Sequence, residues 1–238
     1  MYQMASKNTM TVSEAVKERR SIRRFKRSPS PSEADIRELL EKASRSPSGG
    51  NIQPWHVYVV SGEKRDEIVE KVRASMDQGQ LGDESEYKVY PNPEDSSEYM
   101  DRRRRLALAL YAKLGIARND VSARTKALLD NYDFFGAPLA LIVTVDRLVD
   151  RNGWGHVGMF LQTFCLLCTE AGLATCLQEA WGNWSLLLRD ALEIPSSQIV
   201  WCACAVGFPD PSAPVNSLVS ERLSVDDFCR FFSTRSSL

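Results

Sequence analysis

Two apolar segments decide most of what this chain can become. Leu139–Val145 (LALIVTV) is continuously apolar instead of alternating. A strand with one wet face shows polar residues at every second position, so such a run is covered on both sides. Downstream, His156–Ala171 is apolar almost all round, with Val157, Met159, Phe160, Leu161, Phe164 and Leu167, and reads as a helix buried on most faces. Gly172 stops it, and Ala174–Leu177 and Val200–Val206 follow as core strands. With 238 residues, 43% of them hydrophobic, the chain can enclose such a core. A protein of this length buries roughly 70–75% of the surface its unfolded form exposes.

The remaining elements surround that core. Thr11 and Glu14 spell a capping box, and the helix they start is expected to run on into Arg19–Phe25. A second start is read at Ser30-Pro31-Ser32-Glu33, with Pro31 at the first helical position and Glu33 at the third. Ile36, Leu39, Leu40 and Ala43 give that helix one apolar face, and residues 46–51 (SPSGGN) break it. Trp55–Val60 reads as a strand and Glu63–Met76 as a surface helix with Ile68, Val69, Val72 and Met76 inward. Residues 77–98 are polar and carry Pro91 and Pro93, a candidate lid. Helices are expected again at Met100–Leu114, Asp120–Tyr132 and Asn183–Leu192, then an extended stretch over Phe208–Asn216 and a short helix capped by Ser224 and Asp227.

Helices and few strands interleave without an internal repeat. Residues 1–238 are therefore read as one domain, α+β, a three-layer α-β-α sandwich. Within it, 77–132 is a variable lid or helical insertion and 208–238 an extended C-terminal tail. The all-round helix and the Pro-rich tail lack cover in a lone domain, which points to a second copy of the chain.

Several function classes are excluded. Thirty basic and 31 acidic residues leave a net charge of −1, without the basic excess of a dedicated nucleic-acid binder. No apolar run approaches the ~20 residues needed to span a bilayer, and Met1–Met10 is polar, so no membrane partner and a cytoplasmic location are expected. Four of the six cysteines (Cys165, Cys168, Cys202, Cys204) sit in apolar runs, and Cys165-Leu-Leu-Cys168 is read as a core pair and not as a redox or zinc motif. The two histidines, His56 and His156, cannot build a histidine-rich metal site, and both are taken as structural. GxGxxG after a strand, GxxxxGK[ST] and GxSxG are all missing.

Two stretches carry positive signals. In a continuing helix, Arg19 and Arg23 would be neighbours on one face, a like-charge pair that an anion relieves. Ser21 adds a neutral donor, the mixture that a phosphate wants. A solvated basic patch near a helix C-terminus explains the same residues equally well. Ser48-Gly49-Gly50-Asn51-Ile52-Gln53-Pro54-Trp55 combines close backbone approach with amides able to donate and accept, as a heterocycle edge requires, though a plain turn would also use it. Arg102–Arg105 is a four-arginine run expected to spread around a helix axis. Tyr111, Tyr132, Phe134 and Phe135 are read as core before substrate mouth.

Together, Arg19-Arg20-Ser21-Ile22-Arg23 and Pro47-Ser48-Gly49-Gly50-Asn51-Ile52-Gln53-Pro54-Trp55 resemble the RRSxR and PSxxNxQPW patterns of the FMN-dependent nitroreductase family. Residues 172–181 (GLATCLQEAW), Val206–Asp210, Ala213–Asn216 and Arg222 agree with it, and the likeness thins over 61–132. The resemblance implies a nitroreductase-like fold with a central mixed sheet, an obligate homodimer, FMN, and NADH or NADPH as co-substrate. It further implies a ping-pong reduction of a small electron-poor aromatic, a nitro compound or quinone, with no catalytic side chain. Arg19, Arg20, Ser21 and Arg222 would contact phosphate and ribityl, and Arg23 the N1/C2 edge of the ring. Pro47, Ser48, Gly49 and Asn51 would belong to the site, the last three reaching the flavin from the second subunit, while Gln178, Glu179 and Ala180 would run beside N5. Leu177 stands where many members have Pro, and Ser220 where some have Lys. Other outcomes for such a scaffold are reductive dehalogenation of a halophenol, with Glu84, Glu86, Tyr87 and Lys88 as lid candidates, and a non-catalytic flavin-binding protein.

Overall fold

The computed structural model describes residues 10–88 and 97–232. Their helices and strands, in chain order, are α1 (Val12–Glu18), α2 (Glu33–Ala43), β1 (Trp55–Ser61), α3 (Gly62–Asp77), α4 (Ser97–Lys113), α5 (Val121–Leu129), β2 (Leu139–Asp146), α6 (Arg151–Glu170), β3 (Ala174–Gln178), α7 (Ser185–Leu192), β4 (Gln198–Gly207) and α8 (Val225–Phe228). Part of the expected lid, residues 89–96, lies outside the described residues.

The four strands form one sheet in the order β1-β2-β4-β3, and every neighbouring pair is antiparallel. The expected mixed sheet is corrected by this pairing. The excursion through α3, α4 and α5 leaves and re-enters the sheet at one end, where Ser61 lies opposite Leu139. A parallel neighbour would require the chain to cross back to the other end first. Among the described residues, parallel pairing survives only as isolated bridges, Ser21 with Thr175 and Glu84 with Trp184.

Strand β2 is buried along almost its whole length, as its apolar run requires. Ala140 and Ile142 join Ile68, Val69 and Val72 of α3 and Leu188 of α7 in one core. Leu139, Leu141, Val143 and Val145 join Ile36 and Leu39 of α2 and Val157, Phe160, Leu161 and Phe164 of α6 in a second. Each fully buried Leu, Ile, Val or Phe contributes about 1.5–3 kcal/mol, so the period-two split of β2 commits helices to both faces. Cys165 and Cys168 are buried in the second core as free thiols, a structural role.

Four local expectations change. Helix α1 stops at Glu18 and does not continue to Phe25, because Ser21 bridges Thr175 and the Ile22 N–H donates to the Thr175 carbonyl (3.0 Å). Helix α2 is capped by Ser32 with Asp35, leaving Pro31 outside; Ser30 instead donates its hydroxyl to the Pro31 carbonyl. The tail is not wholly without a partner, since Pro209 bridges Phe25 and the Lys26 N–H donates to Phe208 (2.9 Å). Helix α6 packs by one side, its buried residues running from Gly153 through Val157, Phe160 and Phe164 to Cys168, while Met159 remains 41% exposed. Among the described residues, no helix is long and apolar enough to cross a membrane.

Candidate active site

The residues after α1 are drawn out along the edge of β3, so Arg19, Arg20, Ser21 and Arg23 all reach one cavity of about 960 Å3. Asn216 of the tail fixes this segment: its Oδ1 accepts the Arg23 N–H (3.0 Å), and its Nδ2 donates to the Arg24 carbonyl (2.8 Å). Arg222 and Ser220 line the same cavity from the tail, with the Arg222 guanidinium donating to the Ser220 hydroxyl (2.7 Å). The far wall is α4, which contributes Arg102, Arg105, Leu106 and Ala109. Lys17 and Arg103 add to the positive lining, against which Glu221 is the one acid among the described residues. Arg105 reaches that acid at 3.5 Å.

A second cavity, of about 920 Å3, shares Arg23, Arg103 and Gln162 with the first. Its walls include Leu161 of α6, Cys176 and Leu177 of β3, Phe135, Trp201 and Cys202. Gln178, Glu179 and Ala180 line it where β3 ends. Gln178 is 2% exposed; its amide nitrogen donates to the Asn131 carbonyl (2.8 Å), and its Oε1 is buried without an acceptor's partner. Such an orphaned carbonyl costs about 1–3 kcal/mol unless a donor reaches it. Burial pushes the Glu179 carboxyl above the ordinary carboxylate range, opposed by a hydrogen bond with Trp201. Burial also pushes the Cys176 thiol up to about 11, despite the nearby Arg23, so it is an inert wall and not a nucleophile.

Two neighbouring segments shape this cavity. Asp133-Phe134-Phe135-Gly136 turns through left-handed backbone at both phenylalanines (φ 51 and 55). Phe134 stacks on Trp181 (4.3 Å, 10°), and Asp133 pairs with the 4%-exposed Arg65 (2.6 Å) and with Arg27 (2.5 Å). At the mouth, Asp83 accepts the N–H groups of Leu186 (3.1 Å) and Leu187 (2.7 Å) and so caps α7. The Tyr87 hydroxyl donates to the Trp201 carbonyl, an approach that Gly182 permits, since a Cβ there would lie 2.9 Å from it. Glu86 is held by Arg189 (2.6 Å) and Arg147. Its burial favours the neutral acid, but those two guanidinium groups outweigh it and lower its pKa.

A family model described as "Nitroreductase family" matches residues 16–208. The chain belongs to the nitroreductase family. Among its relatives in that family are a 4-nitrobenzoate reductase of Nocardioides sp. (strain LMS-CY), 34% identical across 91% of this chain and 87% of the relative, and a nitrobenzene nitroreductase of Ectopseudomonas oleovorans, 32% identical across 92% and 96%. The crystal structure of an FMN- and NADPH-dependent nitroreductase, NfnB from sphigopyxis sp. strain HMH, superposes with a TM-score of 0.90, at 36% identity and with coverage of 94% and 99%. NfnB from Mycobacterium smegmatis, solved in complex with NADPH, gives 0.86 at 27% identity, with coverage of 93% and 97%.

Within this nitroreductase-family chain, the expected residues fall into two groups. Arg19, Arg20, Ser21, Arg23 and Arg222 meet at one cavity, and Gln178 and Glu179 at the cavity that shares Arg23. Pro47, Ser48, Gly49 and Asn51 are not brought to either. Their loop packs on α6 instead, where the Gly49 N–H donates to His156 Nε2 (3.1 Å). The Arg19–Arg23 helix face does not exist, since the segment is extended. Of the halophenol-lid candidates, Glu86 is committed to Arg147 and Arg189, and the Tyr87 hydroxyl to Trp201. Sequence reasoning missed Arg102, Arg103, Arg105 and Gln162. The signal was present: the four arginines do spread around the axis, with Arg104 paired to Asp101, but Arg102, Arg105, Leu106 and Ala109 stand at i, i+3, i+4 and i+7 on one face.

Proposed function

We propose that this chain is an FMN-dependent oxidoreductase that uses NADH or NADPH to reduce nitroaromatics, and quinones as a second acceptor class, by a ping-pong mechanism. It works as a cytoplasmic homodimer of three-layer sandwich domains, with residues 77–132 as the variable lid. The observation that carries the reading is the meeting of Arg19, Arg20, Ser21 and Arg222 at a cavity that shares Arg23 with the Gln178–Glu179 wall.

The residues present fit the cofactor. Guanidinium groups and a serine hydroxyl suit a phosphate dianion, apolar Leu161, Leu177 and Phe135 suit a flat ring system, and the orphaned Gln178 Oε1 accepts a ring N–H. Bound there, FMN would supply the redox chemistry that links a nicotinamide to the acceptor. The protein binds and tunes. Arg19, Arg20, Ser21 and Arg222 hold the phosphate. Arg23, anchored through Asn216, places a positive charge at the ring edge, where a unit charge at ~4 Å is worth about 4 kcal/mol at an effective dielectric of 20. Ser48, Gly49 and Asn51, preceded by Pro47, complete the site, the first three reaching it from the partner copy. Exposed Met159 of α6 and the exposed tail residues Val219, Phe228 and Phe231 give that partner an apolar surface to cover.

The purified protein should be yellow or take up FMN; protein that stays colourless after reconstitution ends this reading. Anaerobic stopped flow should show bleaching by NADH or NADPH and recovery with a nitroarene. Arg23→Ala is expected to lower the flavin potential, and Arg222→Ala chiefly to weaken FMN affinity, about tenfold for one lost charged hydrogen bond. Equal effects of both on both quantities contradict that division.

A further inference from the structure

Helix α6 carries the turn before β1 on one of its faces. His156, Phe160 and Thr163 stand at i, i+4 and i+7 along it, so they share that face. Thr163 Oγ1 accepts the Ser46 hydroxyl (2.9 Å), Phe160 stacks on Trp55 (5.1 Å, 11°), and His156 Nε2 accepts the Gly49 N–H (3.1 Å). A Cβ on Gly49 would lie 3.3 Å from His156 Cε1, so the turn is pressed against the ring. An imidazole that accepts at Nε2 keeps its proton on Nδ1 when neutral, and that nitrogen is buried with no hydrogen-bond partner among the described residues. The ring therefore holds the Gly49 amide while its own donor stays unpaired. Gly49, Gly50 and Asn51 are exposed above it, and neither cavity of their own copy includes them.

We infer that His156 is a positioning residue for the FMN site of the other copy: by holding the Gly49 amide, it sets where Ser48, Gly49 and Asn51 meet the partner's flavin. This rests on the functional reading above, and it adds a residue that acts from behind the site and across the subunit boundary. The face of α6 next to the turn, with Gly155 and Met159, is exposed. The face beyond it, with Gly158, Leu161 and Gln162, lines cavities of the same copy. A second α6 seated on the exposed face about a twofold axis brings each turn beside the other copy's cavity. A flavin contact made by a glycine amide depends wholly on where the backbone stands, since Gly49 has no side chain to adjust. The His156 ring is the support beneath that backbone, and a contact held loosely from behind loses affinity.

The test compares FMN affinity, read by flavin fluorescence as FMN is titrated into flavin-free protein, in homodimers and in mixed dimers isolated through two different tags. His156→Phe keeps a ring and removes the acceptor, and should weaken FMN binding about tenfold. His156→Gln returns an acceptor near the Nε2 position and should recover most of that loss. Arg19→Ala with Arg222→Ala should empty the phosphate seat of any copy that carries both. A mixed dimer of one His156→Phe copy and one Arg19→Ala/Arg222→Ala copy then has one intact site, its phosphate seat from the first and its turn from the second. It should bind a single FMN with the affinity of the unaltered protein. A mixed dimer without that tight site places the effect of His156 in its own copy and overturns the inference. So does a His156→Phe homodimer that binds FMN as tightly as the unaltered protein. If His156→Phe does not fold, His156→Ala carries the same comparison, and failure of both to fold leaves the histidine a purely structural role and overturns the inference too. An unaltered protein that takes up no FMN, or an Arg19→Ala/Arg222→Ala homodimer that binds it tightly, fails the functional reading, and this one with it.

Discussion

Two short segments of this chain turn through left-handed backbone, and they do so by opposite means. Gly50 and Asn51 (φ 58 at each) and Gln53 (φ 48) form an exposed turn before β1. Residue type answers the strain there, since Gly has no Cβ to clash and Asn tolerates this region. Phe134 and Phe135 adopt the same region while 0% and 5% exposed. Bulky side chains rarely stand there, at a cost of about 1–3 kcal/mol each, and persist only when their surroundings over-determine them. Those surroundings are the Trp181 stack and the Arg65–Asp133 pair. A local choice holds the first segment and the whole fold holds the second. Both border the proposed site, one as its contribution to the partner and one as its own wall.

Substitution can break that contrast. Phe134→Ala should destabilise most, by about 3–5 kcal/mol in urea unfolding, since it removes a buried aromatic and its stack on Trp181. A loss below about 1 kcal/mol would mean that Trp181 does not hold the turn. Arg65→Met should cost about 3 kcal/mol, because it strands a partly buried Asp133, though Arg27 and Arg73 (3.5 Å) still reach that carboxylate. Gly50→Ala should cost about 1 kcal/mol through backbone strain alone, as only the flexible Ile52 lies near its Cβ. Equal losses at Gly50 and Phe134 would erase the distinction.

The smallest effect is confined to acid and separates the anchored mouth from the exposed loop. Glu86 has a folded pKa below its ordinary 4.5. Its contribution is therefore present above pH 4.5 and lost as pH falls through the lower folded value. Urea midpoints taken between pH 7 and pH 3 should fall less steeply for Glu86→Gln than for the unaltered protein. Parallel curves would show that the Arg147 and Arg189 pairs add nothing. Glu179 has the opposite sign: its raised pKa costs stability as pH climbs above 4.5, so Glu179→Gln should be slightly more stable at pH 7.

The elements that were legible in the sequence are those whose pattern is enforced by burial. Strand β2, helix α3 and the capping boxes at Thr11 and Ser224 stand close to where apolar spacing and cap chemistry put them. The end of α1 was not legible. Nothing within Arg19–Phe25 forbids a helix; the Thr175 carbonyl, far along the chain, captures the Ile22 N–H and draws the segment straight. The arginine face of α4 was half legible, since spacing sets which side chains share a face but not what that face meets. Consecutive left-handed phenylalanines were invisible, because phenylalanine by itself argues against that backbone.

The order of residues alone determined the covered strand, the helices with one greasy side and the family pattern of Arg19–Arg23 and Pro47–Trp55, because hydrophobic burial and backbone preference act over a few residues at a time. Only the tertiary structure decided that the sheet is antiparallel, that Arg19, Arg222 and Arg105 line one cavity, and that Gln178 ends with a buried oxygen awaiting a donor. Those outcomes depend on where distant backbone groups and charges come to rest once water is excluded between them, and no short window of sequence carries that information.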